Sequence, residues 1–176
     1  MKNFTKICTI IFIFGVISLL NNKPTIVHPV QKEPVEEQKC KPLPHNTTTT
    51  TSRLKSTQWD TLMNAIIYVE SRGQADAISK DGKYVGAMQI GKIVVDDCNQ
   101  YLAYKGIDKQ FTYEDRFDVN KSKEMFILIQ KRYNKSNNLE AAIRIWNGGC
   151  NYNIKSTQGY YNRVLAKYNK LINKRG

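Results

Sequence analysis

The chain has 176 residues, with 27 Lys and Arg against 15 Asp and Glu, a formal charge of +12 at pH 7. That length fits one ordinary domain with added segments, and the charge suits a polyanionic partner such as nucleic acid, anionic lipid or an acidic cell wall. Both histidines, His28 and His45, fall in the first third of the chain, outside the segment that reads as a domain. A His triad, a His metal site and His acid–base work are thereby excluded from it, and the carboxylates are left.

In chain order, Lys2 and Lys6 introduce an uncharged apolar run, Ile7 to Leu20. It is too short for a full membrane span and fits a secretory signal peptide or a short N-terminal membrane anchor. Cys8 opens the run rather than following it, which argues against a lipoprotein. The expectation is an exported chain, in the periplasm or cell envelope or secreted, with anchoring through residues 7–20; a phage-encoded copy would be virion-associated. Residues 21–52 hold all five prolines and a threonine run, Thr47 to Thr51. No hydrophobic period persists there, so they read as an extended, disordered linker.

Residues 53–176 then form the domain, with 21 basic and 12 acidic side chains. It has no zinc-finger spacing and no base-reading helix, so neither a metal nor nucleic acid is expected, and no cofactor. Of four cysteines, only Cys98 and Cys150 belong to it. Export would permit a Cys98–Cys150 disulfide; two reduced buried thiols are the alternative. The spacing predicts helices over 58–71, 92–104, 115–134, 139–146 and 159–173, with an Asp81-Gly82 turn and a short hairpin or loop after the first. The fold class is therefore mainly α, an α+β arrangement of helices with a small β insert. Expected buried faces are Val94, Cys98 and Tyr101 on the second helix, and Tyr161, Val164, Leu165, Tyr168 and Ile172 on the last.

Glu70 is out of place in this pattern. Trp59, Met63, Ile66 and Glu70 share one stripe of the first helix, and three of them are apolar. A carboxylate there is either paired, with Arg72 or Arg144, or it is present for chemistry. Desolvation and the negative end of the helix dipole both disfavour its ionised form. A carboxyl that keeps its proton, with its pKa moved from about 4.3 towards about 6, is what protonating a departing glycosidic oxygen requires.

Four segments carry a family resemblance. Glu70-Ser71-Arg72-Gly73, the Ser79-Lys80-Asp81-Gly82 turn with Gly86-Ala87-Met88-Gln89-Ile90, Ile145-Trp146-Asn147-Gly148-Gly149, and Thr157-Gln158-Gly159-Tyr160-Tyr161-Asn162-Arg163-Val164 together resemble the soluble lytic transglycosylase domain. The resemblance spans roughly residues 58–170. It implies a lysozyme-like fold related to goose-type lysozymes and cleavage of the MurNAc–GlcNAc bond of peptidoglycan. It implies Glu70 as the catalytic acid and base, with Ser71, Met88, Gln89, Trp146, Asn147 and Tyr160 as substrate-binding or positioning groups. Met88 would wall the sugar groove, with core packing as its other reading; Ser71 and Asn147 could equally serve helix ends. The chain departs from the pattern in a hairpin one residue longer between Gly82 and Gly86, in Ala87 where Leu is usual, and in Trp146 where a tyrosine hydroxyl is usual. Two other functions stay open on sequence. One is a muramidase using water, which needs a second carboxylate ~6.5–9.5 Å across the groove for inversion, from Asp81, Asp96 or Asp97. The other is a non-catalytic glycan-binding or structural module of an envelope complex or phage particle.

Overall fold

The computed structural model describes residues 56–174. The expected leader and linker lie outside the described residues, as do Cys8 and Cys40. Five helices follow one another: α1 (Ser56–Ser71), α2 (Lys92–Tyr104), α3 (Val119–Tyr133), α4 (Leu139–Gly148) and α5 (Ile154–Asn173). Between α1 and α2 lie two short strands, β1 (Tyr84–Val85) and β2 (Ile90–Gly91), paired antiparallel with Val85 opposite Ile90. The mainly helical fold with a small β insert is thus the observed architecture. Among the described residues no helix is long and apolar enough to cross a membrane.

The core lies where α1, α3, α4 and α5 meet. Leu62 and Ile66 of α1, Phe126 of α3, Ile143 of α4 and Val164 of α5 are all fully buried. Each brings one apolar stripe of a 3.6-residue period to the centre. α1 packs along α5, α4 also packs on α5, and α2 packs on α3. Phe126 joins two half-buried indoles, meeting Trp59 edge-on at 5.9 Å and Trp146 at 5.1 Å between ring centres. Such edge-to-face contacts add to simple burial.

Two helices begin four or more residues from where the spacing predicts. α3 starts at Val119, because the Asp118 carboxylate accepts from the Asn120 and Lys121 amides at 2.7 and 3.0 Å. That cap fixes the entry, and residues 114–117 form a separate 3₁₀ turn. α5 starts at Ile154, five residues before Gly159, because the Asn153 side chain accepts from the Ser156 amide at 3.1 Å. Gly159 sits inside the helix instead of opening it. Arg144 reinforces this early start from α4: it donates to the Ile154 carbonyl, to Thr157 Oγ1 and to Gln158 Oε1, and pairs with Glu140. Gly148 allows α4 to end against the same turn, since a Cβ there would meet Thr157 and Tyr152 carbons within 3 Å.

The buried faces also differ in detail. On α2 they are Val95, Cys98 and Leu102, one residue round from the expected Val94 and Tyr101. On α5, Thr157, Tyr160, Val164 and Tyr168 are buried, and Ile172 is exposed. The Cys98–Cys150 disulfide is not formed: both thiols are free. Cys98 is fully buried with its thiol against the Met125 carbonyl at 3.5 Å, and burial pushes its pKa up to about 12. A thiol so placed behaves as a small core hydrophobe.

Candidate active site

The site is built at the C-terminal end of α1. Its apolar stripe faces the core up to Ile66, and one turn later the stripe presents Glu70, partly buried. The chain then leaves the helix through two left-handed residues, Arg72 at φ +60° and Gly73 at φ +95°. Ser71 fixes this exit. Its hydroxyl donates to the Ala87 carbonyl at 2.8 Å and accepts from the Gly73 amide at 3.2 Å. Ser71 is buried and spends its hydroxyl on the protein, tying the end of α1 to the β1–β2 connection.

That connection, Gly86 to Gln89, is held on both sides. The Gly86 amide donates to the Ala77 carbonyl at 2.7 Å. Gln89 has φ +49°, and its side-chain amide nitrogen donates to the Gly86 carbonyl at 3.0 Å and the Ala77 carbonyl at 3.3 Å. Both donors are used within the loop, and the acceptor oxygen is what Gln89 retains for a ligand. A left-handed non-glycine residue costs of order 1–3 kcal/mol and persists only where surrounding bonds hold it. Met88 is not a wall of the groove. Its side chain is fully buried in the core, because the turn that lifts Gln89 to the surface points its neighbour inward.

Glu70 meets its partner across the α1–α5 contact. The Tyr160 hydroxyl donates to Glu70 Oε1 at 2.7 Å. The early start of α5 places Tyr160 on its buried side, beside Thr157 and Val164. Burial raises the Glu70 pKa above the usual carboxyl value, opposed by the Tyr160 hydrogen bond and by the nearby Arg163 charge. Burial also carries the Tyr160 phenol well above its ordinary value, and the adjoining carboxylate adds to this, so it stays a neutral donor. Neither Arg72 nor Arg144 pairs with Glu70: Arg144 takes Glu140, and Arg72 lies over the Tyr68 ring.

Glu70 opens into a cleft of about 390 Å³. Gln89, Trp146 and Asn147 line it with Glu70, and Tyr84, Ile90, Gly91, Ile93 and Val94 complete the lining. The sequence matches the transglycosylase SLT domain family over residues 49–170. The chain belongs to that family. Comparisons with curated proteins and with solved structures gave no match. An SLT domain indicates glycan cleavage of the lytic transglycosylase kind, with peptidoglycan as the substrate.

Within this SLT domain the cleft brings together four residues singled out by sequence: Glu70, Gln89, Trp146 and Asn147. Tyr160 and Ser71 stand behind them, bonded to Glu70 and to Ala87. Of the rest of the lining, Tyr84, Gly91 and Ile93 were not legible in the sequence. Tyr84 is 49% exposed and Ile93 78% exposed. Isolated exposed apolar residues are common on any protein, so neither carries a sequence signal of its own. None of the acids that could act as a second carboxylate lines the cleft. Asp81 closes the hairpin turn, accepting from Ser79 and the Lys83 amide, which hold its pKa down at about 2. Asp96 accepts from Tyr113, and Asp97 pairs with Arg132 and Tyr133.

The raised Glu70 pKa has a stability consequence of defined sign. The folded carboxyl holds its proton to higher pH than the unfolded one, so wild-type stability falls as pH rises from about 4.5 through the folded value. Glu70→Gln is therefore expected to melt higher than wild type at pH 7.5, and the gain should shrink at pH 4. Thermal melts of both chains at the two pH values check this. A gain that grows on acidification would contradict the burial of an ionised Glu70.

Proposed function

We propose that this SLT domain cleaves the MurNAc-β-1,4-GlcNAc bond of peptidoglycan without water, leaving 1,6-anhydro-MurNAc ends. Glu70, protonated, donates its proton to the glycosidic oxygen as the C1–O bond breaks and an oxocarbenium-like MurNAc forms. The resulting carboxylate takes the proton of the same sugar's 6-hydroxyl, whose oxygen bonds to C1. Glu70 ends as the acid it began as, so the cycle needs one carboxyl group and no cofactor.

The observation that carries this reading is the single acidic side chain, Glu70, among the residues lining the cleft, raised in pKa by burial. A raised carboxyl suits the acid step, and the Tyr160 hydrogen bond favours the ionised form that the second step needs. The Trp146 face offers an apolar surface for a sugar ring, and Asn147 and the Gln89 oxygen offer hydrogen bonds to its hydroxyls. Export to the cell envelope, anchored or released, is the location in which this substrate is met. Product masses from a cell-wall digest test the proposal. Fragments ending in anhydro-MurNAc support it; reducing MurNAc ends would establish a hydrolase instead, and an untouched wall a binding module.

Tyr160→Phe tests the second step. It removes the hydrogen bond that lowers the Glu70 pKa and leaves burial unopposed except by Arg163. The alkaline limb of the pH–rate profile should move to higher pH, with the rate below the limb reduced. An unmoved limb would sever Tyr160 from the chemistry.

A further inference from the structure

A line of cations leads away from the acid along α5. Tyr160 is bonded to Glu70, and the Arg163 guanidinium lies 5.8 Å from the Tyr160 ring centre. One turn further, the Lys167 ammonium lies 3.2 Å from the centre of the Tyr68 ring, and the Arg72 guanidinium lies 4.5 Å from that same centre. Tyr68 is 40% exposed. Two like charges thus share one aromatic ring from two different helices, α1's end and α5.

The Glu70 carboxylate lies near Arg163, and among the described residues no carboxylate pairs with Lys167 or Arg72. Among the described residues, every ion pair uses other cations. α5 carries Lys155, Arg163, Lys167 and Lys170 and no Asp or Glu over its whole length. Holding like charges together costs free energy unless an anion arrives, and the aromatic ring offsets only part of it. Arg72 adds to this, being an arginine at φ +60°, where glycine would be the less strained choice.

We infer that Arg163, Lys167 and Arg72 form a carboxylate-binding face that engages the peptide stems of peptidoglycan; the inference rests on the glycan-cleaving reading above. The stem hangs from the lactyl group of MurNAc, the sugar whose bond Glu70 would break, and it carries free carboxylates. The row of cations begins beside the acid that would act on that sugar. The face binds carboxylate along an extended chain rather than in a closed pocket, so each contact is solvent-screened and modest.

The test reads binding separately from cleavage. Binding of the full chain carrying Glu70→Gln is read by sedimentation with insoluble peptidoglycan, intact or freed of phosphate polymers by acid, and by competition with soluble glycan strands freed of stems by an amidase. Adding Arg72→Gln and Lys167→Gln should weaken binding to the phosphate-free, stem-bearing material by about threefold to thirtyfold, with steeper loss at low salt. On stem-free glycan the added substitutions should make no difference. An Arg163→Gln/Lys167→Gln pair, confined to α5, serves where circular dichroism shows the Arg72 turn misfolded. Equal losses on stem-bearing and stem-free material, no loss at all, or a loss seen only where phosphate polymers remain would overturn the inference. Cleavage by the wild-type chain is measured in parallel. An intact wall there would sink the glycan-cleaving reading, whereas stem-independent binding sinks this one.

Discussion

Glu70→Gln should fold as the wild-type chain does and clear peptidoglycan about 10²–10⁴-fold more slowly, the usual worth of a positioned general acid. The substitution keeps the shape of the side chain and an oxygen that can accept the Tyr160 hydroxyl, now 2.7 Å from Glu70 Oε1. What it removes is the transferable proton. The loss should therefore fall on turnover and leave affinity for the wall in place. That split separates a missing acid from a damaged cleft, because a damaged cleft would lose both. Turbidity clearance with a sedimentation assay on the same preparations reads the two quantities. Clearance within threefold of wild type would mean that some other group delivers the proton.

The second large effect is structural. Gly86→Ala should destabilise the domain by about 2–5 kcal/mol, combining about 1–2 for a left-handed backbone with about 1–3 for overpacking. Gly86 has φ +78°, and a Cβ there would stand 1.9 Å from the Arg116 carbonyl oxygen. Arg116 cannot give way cheaply. It is buried, donates to the Tyr113 carbonyl at 2.6 Å and the Ile90 carbonyl at 3.3 Å, and its own carbonyl accepts from Ser122 at 3.0 Å. The strain would pass to the Gly86–Gln89 connection and so to the groups facing Glu70. Gly82→Ala is the control: its φ is +71°, with nothing within 4 Å of the added carbon, so only the backbone cost applies. Urea unfolding of both variants measures the difference. Equal midpoints would show that the close approach to Arg116 is relaxed in solution.

These sites differ in how far the sequence discloses them. Glu70 was legible because a carboxylate broke an apolar stripe, and stripes are local. α2 and α4 were legible for the same reason, with periodic apolar residues and clear starts at Lys92 and Leu139. The face of α2 was less so: Val94 and Val95 are both apolar, and either satisfies the period, so packing against α3 decides for Val95 and Leu102. The starts of α3 and α5 depended on Asp118 and Asn153 acting as caps, where the apolar spacing alone placed them at residues 115 and 159. Met88 shows the limit of motif reasoning. Its place beside Gln89 marked it for the cleft, and one left-handed residue turned the two to opposite sides. The Tyr160–Glu70 bond joins residues ninety apart in sequence, and no spacing rule reaches that far. The cations around Tyr68 were visible only as net charge until α1 and α5 were packed together.

In the proposed cycle Glu70 alone serves as acid and base, with the substrate's own hydroxyl in place of water. Digestion of peptidoglycan by the wild-type chain in ¹⁸O-labelled water tests it most directly, with released fragments weighed by mass spectrometry. The expected fragments are one water lighter than hydrolysis products and carry no label, because the new bond to C1 comes from the sugar's own 6-oxygen. Fragments that have gained a labelled water at the cleaved end would contradict it.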